Sequence, residues 1–137
     1  MKKTKTTKSV NIMDRVKSFE DACKIEKIDA KKLPDVSMVP EKYRKSITAF
    51  YKLSVIHSAL NEGWVADPSN HNQNRYSNWF VVEQDNKHPS GFGFSGTDYH
   101  CWGATTSAAA RLLLRSSALA LYSGNQFADL HLDYFAG

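Results

Sequence analysis

Asp98, His100 and Cys101 are neighbours in the sequence and offer side chains that could do chemistry. A cysteine beside a histidine can make a thiolate nucleophile, provided a base reaches the sulfur. Neighbouring residues in an extended segment point apart, however, so the base would have to come from His57 or His131. On a helical wheel, His57 sits beside Phe50 and His131 lies within an apolar arc near Phe127, positions that suit hydrogen-bonded core histidines. His71, His88 and His100 follow no metal-binding spacing, and no paired-carboxylate or P-loop pattern is present. Gly91-Phe92-Gly93-Phe94-Ser95-Gly96 is literally G-x-G-x-x-G. A dinucleotide site needs a helix to open at its end, whereas Thr97-Asp98-Tyr99-His100 follows, which is no helix start. A kinase-type loop would need its lysine and metal-binding aspartate motifs, which are missing. The residues therefore point away from an enzyme, and they imply no cofactor and no metal.

Binding chemistry is better represented. Phe92 and Phe94 lie two apart and share one strand face, and Gly93 between them leaves the backbone flat. Exposed, the two rings would stack on nucleic-acid bases; buried, they are ordinary core rings. Gly-Phe-Gly-Phe also forms the centre of the aromatic strand motif of RNA-recognition domains. Here Ser90 replaces the leading basic residue and Thr97 the closing aromatic, and the element order differs. Arg111 and Arg115, four apart with Leu113 between, would share an outer strand face near Trp79. That makes either a phosphate platform or a solvated edge paired with Glu83 or Asp85. All three tryptophans and half of the 16 aromatics fall between Trp64 and Trp102, a density that suits an interface hot spot or the core of a small sheet. The candidate binding residues are Trp79, Phe92, Phe94, Arg111 and Arg115.

Several elements must position them. Ser18 reads as an N-cap, with acids in the first turn and an apolar stripe from Phe19 through Ala22 and Cys23. Pro34 breaks that helix. A second helix is expected from about Pro40 to Asn61, with Ser37 as its cap, Gly63 as its stop and Tyr43, Ile47, Phe50 and Leu53 on its core side. Trp79–Val82 and Gly91–Ser95 read as a hairpin around a turn at 85–91. A third strand is expected near Ala109–Arg115. Ser116 or Ser117 then caps a last helix running to about Phe135, whose broad apolar arc needs cover from two sides. Ala120, Gly124 and Ala128, four apart, would let a sheet or helix approach its backbone closely.

Net charge is +4, from 18 basic and 14 acidic residues. Residues 1–8 hold Lys2, Lys3, Lys5 and Lys8 and no acid, so residues 9–137 are balanced and the excess is a tail. That argues against a basic nucleic-acid-binding fold. The length suits one domain with a real core, and a hydrophobic content of 42 % argues against disorder. No apolar run reaches the roughly 20 residues of a membrane helix, and the start lacks a secretory h-region. Cys23 and Cys101 are read as free thiols.

Leu33-Pro34-Asp35-Val36-Ser37 with Pro40-Glu41-Lys42, then Ala59-Leu60-Asn61-Glu62-Gly63-Trp64, Trp79-Phe80 and Gly91-Phe92-Gly93-Phe94-Ser95 occur in that order. Arg111-Leu112, Gln126-Phe127 and Asp133-Tyr134-Phe135 follow. Together they resemble a family of small uncharacterised proteins of phages and prophages of gut bacteria. The resemblance covers about residues 18–135, with Lys27 and Ala108-Ala109-Ala110 departing from it. It implies a viral context, in the virion or the bacterial host cytoplasm, and carries no site residues with it. The expectation is a basic tail over 1–17 and a single α+β domain over 18–137. Its elements are two N-terminal helices, a small antiparallel sheet of about three strands and a C-terminal helix packed on it. The function expected is a non-catalytic interaction module that binds protein partners or itself. The alternative is a single-stranded nucleic-acid or nucleotide binder using the sheet aromatics and the arginine pair.

Overall fold

The computed structural model describes residues 11–67, 69–70, 72–88, 91–102 and 111–136. The lysines of the tail lie outside the described residues. Folded structure begins earlier than the sequence suggests, with a one-turn helix α1 (Ile12–Arg15) whose cap, Asn11, accepts a hydrogen bond from the Met13 N–H. Ile12 and Val16 are buried in the core. The Tyr122 hydroxyl donates to the Val16 carbonyl, and Gln126 Nε2 donates to the Lys17 carbonyl at 2.9 Å. Residues 11–17 therefore belong to the domain and not to the tail.

Helix α2 (Phe19–Glu26) is capped by Ser18, whose Oγ accepts from the Asp21 N–H at 3.1 Å, and it buries Phe19, Ala22 and Cys23 as its stripe requires. Helix α3 (Glu41–Leu60) has the expected extent. Its cap position is Pro40, without a side-chain bond, and Ser37 does not cap it: the Ser37 N–H bonds Asp35 and its carbonyl accepts from Arg44. The second half of α3 is the core half, with Leu53, Ile56, Ala59 and Leu60 fully buried. The first half departs from its wheel, leaving Tyr43 50 % and Ile47 39 % exposed.

The hairpin is longer than its apolar centre. Strand β1 (Arg75–Gln84) pairs antiparallel with β2 (Phe92–Trp102), from Arg75 opposite Trp102 to Gln84 opposite Phe92, with an irregularity at Val81/Val82. Gly91, at φ 84°, supplies the left-handed residue that closes the turn. The sheet has two strands where about three were expected. Of the predicted third strand, residues 109–110 lie outside the described residues, and 111–115 make a single bridge, Tyr76 to Leu114. The reason is that side chains of α3 take this segment's backbone groups. His57 Nδ1 bonds the Leu112 carbonyl at 2.7 Å, Asn61 Nδ2 the Leu113 carbonyl at 2.9 Å, and Asn61 Oδ1 accepts the Arg115 N–H at 3.0 Å. Leu112, Leu113 and Leu114 are all buried, so the expected alternation of faces is absent.

The last helix is two helices, α4 (Ser117–Gln126), capped by Ser116, and α5 (Ala128–Ala136), broken at Phe127. The break lets each half bury its own face. Helix α4 packs on both strands, α5 packs along α3, and Phe127 drops into the core. This chain itself thus covers most of the broad apolar arc. Gly124 is where α4 meets the hairpin: a Cβ there would overlap Thr97 Oγ1 and lie 3.0 Å from Asn78 Nδ2 and from Thr97 Cβ. One turn earlier, Asn78 Nδ2 donates to the Ala120 carbonyl at 2.6 Å. The close approach expected from the Ala120/Gly124 spacing is made to the sheet.

Candidate functional site

The hairpin face turned toward the helices carries Tyr76, Asn78, Phe80, Phe94, Thr97 and Tyr99, as strand alternation and the register require. Phe80 and Phe94 stack at 4.1 Å between centroids and 16° between planes. Phe135, near the end of α5, meets both edge-on, at 6.0 Å and 6.1 Å. These three rings, with Val82, Trp79 and Asn78, line an open groove of about 430 Å³. A second cavity of about 200 Å³ adjoins it, between Phe80, Leu112, His131 and Tyr134. Several groove walls face solvent: Trp79 is 45 %, Val82 56 % and Phe135 60 % exposed. Trp79 is held in place by its indole N–H, which donates to the Tyr99 carbonyl at 3.1 Å.

The predicted binding residues divide. Trp79 and Phe94 join the groove, with Phe94 half-buried against Phe80. The backbone of Phe92 lies in β2 opposite Gln84, and its side chain is outside the described residues. Arg111 and Arg115 do not reach the sheet face, because the segment carrying them is no strand. Arg115 pairs with Glu62 at the end of α3, not with Glu83 or Asp85. Exposed Arg111 lines a separate cavity of about 200 Å³ with Trp64, Ser58 and Asn61. Phe135, Val82 and Asn78 were not anticipated. Alternation along β1 places Asn78 and Phe80 on one face, but nothing local brings Phe135 to them.

Behind the groove lies a buried polar relay. His57 Nδ1–H donates to the Leu112 carbonyl, so its Nε2 carries the lone pair and accepts from the Ser123 hydroxyl at 2.6 Å. His131 Nε2–H in turn donates to Ser123 Oγ at 3.2 Å. Burial pushes His57 down to about 4, against the small opposing effect of its bond to Leu112. Burial, and then the neighbouring His57, push His131 to about 3. Both imidazoles are neutral at pH 7. The Ser–His contact has the elements of a nucleophile and base, but Ser123 is fully buried and its histidine is oriented by a backbone carbonyl. The relay ties α3, α4, α5 and the 111–115 segment together. Cys101 is exposed at the far end of β2, whereas both ring nitrogens of His57 are engaged in the core. Among the described residues no group of three His, Cys, Asp or Glu side chains converges to hold a metal ion. No described helix is long and apolar enough to cross a membrane.

Charge is unevenly divided. Residues 1–60 hold 14 basic and seven acidic side chains; residues 61–137 hold four and seven. On the hairpin, Glu83 and Asp98 are exposed and Asp85 is half-buried, against exposed Lys87, while Arg75 is buried on the carbonyls of Asp67 and Asn70. The residues that line the groove thus come from the acidic part of the sequence, although the register turns Glu83 and Asp98 to the opposite face of the hairpin. Comparison of the chain with protein-family models, with curated proteins and with solved structures finds no match.

Proposed function

We propose that the protein is a phage-encoded, non-catalytic interaction module, acting in the virion or in the bacterial host cytoplasm, which seats apolar side chains of a protein partner in the groove between the hairpin and α5. One observation carries this reading: Trp79, Val82 and Phe135, each close to half exposed or more, converge on a single aromatic-walled groove of about 430 Å³. Aromatic anchors in a preformed groove are the usual seat of binding energy, and a soluble surface rarely keeps such a patch bare without use. The test is photo-crosslinking from position 82, using a benzophenone side chain in place of Val82, in cells that make the full chain. Adducts that disappear with Phe135→Asp support the reading. A crosslinker at 82 that captures nothing, or adducts indifferent to Phe135→Asp, sinks it.

The nucleic-acid reading keeps one favourable observation, the exposed indole of Trp79. Its arginines lie elsewhere, and Glu83 and Asp98 would face the phosphates. Titration with a single-stranded oligonucleotide at low salt decides it: binding weakened by Trp79→Ala would favour it over the protein-partner reading.

A further inference from the structure

We infer that the partner enters as an added β-strand: an extended segment, alternately apolar and basic, that hydrogen-bonds along the open edge of β1 from Asn78 to Val82. This rests on the interaction reading above and gives the partner its chemistry.

Backbone direction along β1 locates that edge. The Tyr76 N–H donates to the Leu114 carbonyl at 3.0 Å and the Leu114 N–H to the Tyr76 carbonyl at 2.8 Å, so Tyr76 turns both backbone groups away from β2. Alternation gives Asn78, Phe80 and Val82 the same direction. The residues between them point the other way: the Trp79 carbonyl accepts from Thr97 Oγ1 and the Val81 carbonyl from Ser95 Oγ, both on β2. Past the irregularity at Val81/Val82 the Asp85 N–H donates to the Gly91 carbonyl, so the parity carries through Val82. Beyond the Tyr76–Leu114 bridge no described residue continues the sheet. His57 and Asn61 hold the Leu112 and Leu113 carbonyls and draw that segment to α3, and a cavity of about 200 Å³ lined by Leu112, Asn78 and Phe80 opens there. The outward N–H and C=O groups of Asn78, Phe80 and Val82 have no hydrogen-bond partner among the described residues.

Such an edge is a template for another strand, and proteins commonly blunt it with lysine or proline. Residues 78–82, Asn-Trp-Phe-Val-Val, contain neither, and Val81 and Val82 are each about half exposed. A strand laid there bonds the main chain of 78, 80 and 82 and sends its side chains alternately to the two faces. On one face they enter the groove between Phe80, Val82 and Phe135, which calls for apolar residues. On the other they lie beside Trp79, Val81 and Glu83, on the face that carries exposed Glu83 and Asp98. The only lysine or arginine in the two strands is Arg75, which is buried. Basic side chains at those positions therefore meet unopposed carboxylates and pack over the exposed Trp79 ring. The β1 of a second copy would bring another Glu83 to that face, so charge favours a foreign segment.

The test is amide hydrogen exchange of the purified full chain, read by NMR, with and without the synthetic peptide acetyl-Lys-Val-Lys-Val-Lys-Val-Lys-amide. In the free chain the Trp79 and Val81 amides should exchange slowly and those of Asn78, Phe80 and Val82 fast. Bound peptide should slow these three by about tenfold or more. Val82→Pro removes one outward N–H at an edge position, where proline is tolerated, and should weaken peptide binding about tenfold or more. Val82→Ala keeps the N–H and should stay within about threefold of wild type. The same peptide with glutamate for lysine should bind at least about tenfold more weakly. If Val82→Pro does not fold, the exchange pattern and the glutamate peptide decide. Edge amides already protected in the free chain overturn the inference, and protection that grows with protein concentration assigns the edge to a second copy. A peptide that fails to bind, that leaves the three amides unchanged, or that binds Val82→Pro and Val82→Ala alike also overturns it. If adducts from position 82 depend on Phe135 while strand addition fails in this way, the inference falls and the interaction reading stands. If position 82 captures nothing, that reading falls too.

Discussion

Replacing Gly124 by alanine tests the packing that positions the groove. In an exposed helix interior this exchange stabilises by about 1 kcal/mol, because alanine is the better helix former. Here the new Cβ would overlap Thr97 Oγ1 and stand 3.0 Å from Asn78 Nδ2 and Thr97 Cβ, tighter than ordinary carbon contacts. Neither neighbour is free to retreat. Thr97 Oγ1 donates to the Trp79 carbonyl at 3.2 Å, and Asn78 Nδ2 donates to the Ala120 carbonyl at 2.6 Å. Overpacking of this kind costs about 1–3 kcal/mol, and a lost hydrogen bond adds about 1 kcal/mol. Against the propensity gain, Gly124→Ala should therefore destabilise by about 1–3 kcal/mol. Urea unfolding followed by circular dichroism measures it, as a lower midpoint at unchanged slope. Thr97→Ala removes the overlapping oxygen. In that background Gly124→Ala should be close to neutral, a coupling of about 1–3 kcal/mol in a double-mutant cycle. A Gly124→Ala chain with a raised midpoint, or a cycle with no coupling, would refute the close approach of α4 to the hairpin.

Acid should unfold the protein through its histidine relay. The unfolded chain takes up protons near pH 6.5, while folded His57 refuses until about 4 and folded His131 until about 3. Their contribution is complete above pH 6.5 and is lost as pH falls from there toward 4, at about 1.4 kcal/mol per pH unit for each ring. For His57 alone the span amounts to about 3 kcal/mol. Urea midpoints from pH 7.5 to 5 should fall steeply, and His131→Gln, which keeps the donor to Ser123, should about halve the slope; a flat profile defeats the assignment of two neutral rings. Ser123→Ala leaves the lone pair of His57 and the donor of His131 without their bridge, at a cost of about 2–4 kcal/mol, checked by thermal and urea unfolding. Arg115→Ala at the exposed pair with Glu62 should change stability by less than about 1 kcal/mol, and a larger loss would mean that the pair organises the 111–115 segment.

Local chemistry made much of the fold legible. The Ser18 hydroxyl followed by acids marked the start of α2, and Pro40 and Gly63 bounded α3 to within a residue at each end. The β-branched and aromatic run around 79–82, with turn residues at 85–91, specified a hairpin. The small residues at 120 and 124 announced a close contact, although not its partner. His57 and His131 were recognisable as core histidines because their wheel positions lay among apolar neighbours. In each case the deciding interaction spans a few residues of chain.

The misreadings share the opposite property. Three consecutive leucines after Arg111 looked like an alternating strand, but His57 and Asn61, more than 50 residues away, hold their carbonyls and bury all three. Two polar residues four apart in the most apolar half of α3 were the available sign that something there needed partners. The break at Phe127 came from packing two halves of one apolar stretch against different layers, which no local breaker residue encodes. Burial of Ile12 and Val16 likewise depended on Tyr122 and Gln126 reaching back across more than 100 residues.

By itself, then, the amino-acid order determined α2, α3, the hairpin, the α+β class and the charge division along the chain, because caps, periodicity and turn residues act through bonds between near neighbours. Only the tertiary structure decided which apolar side chains were left over. Phe135 joins Phe80 and Phe94 only because α5 lies along α3, and Tyr43 and Ile47 are exposed because no other described element packs over them. A groove is what packing leaves uncovered, and that depends on the arrangement of all the elements at once.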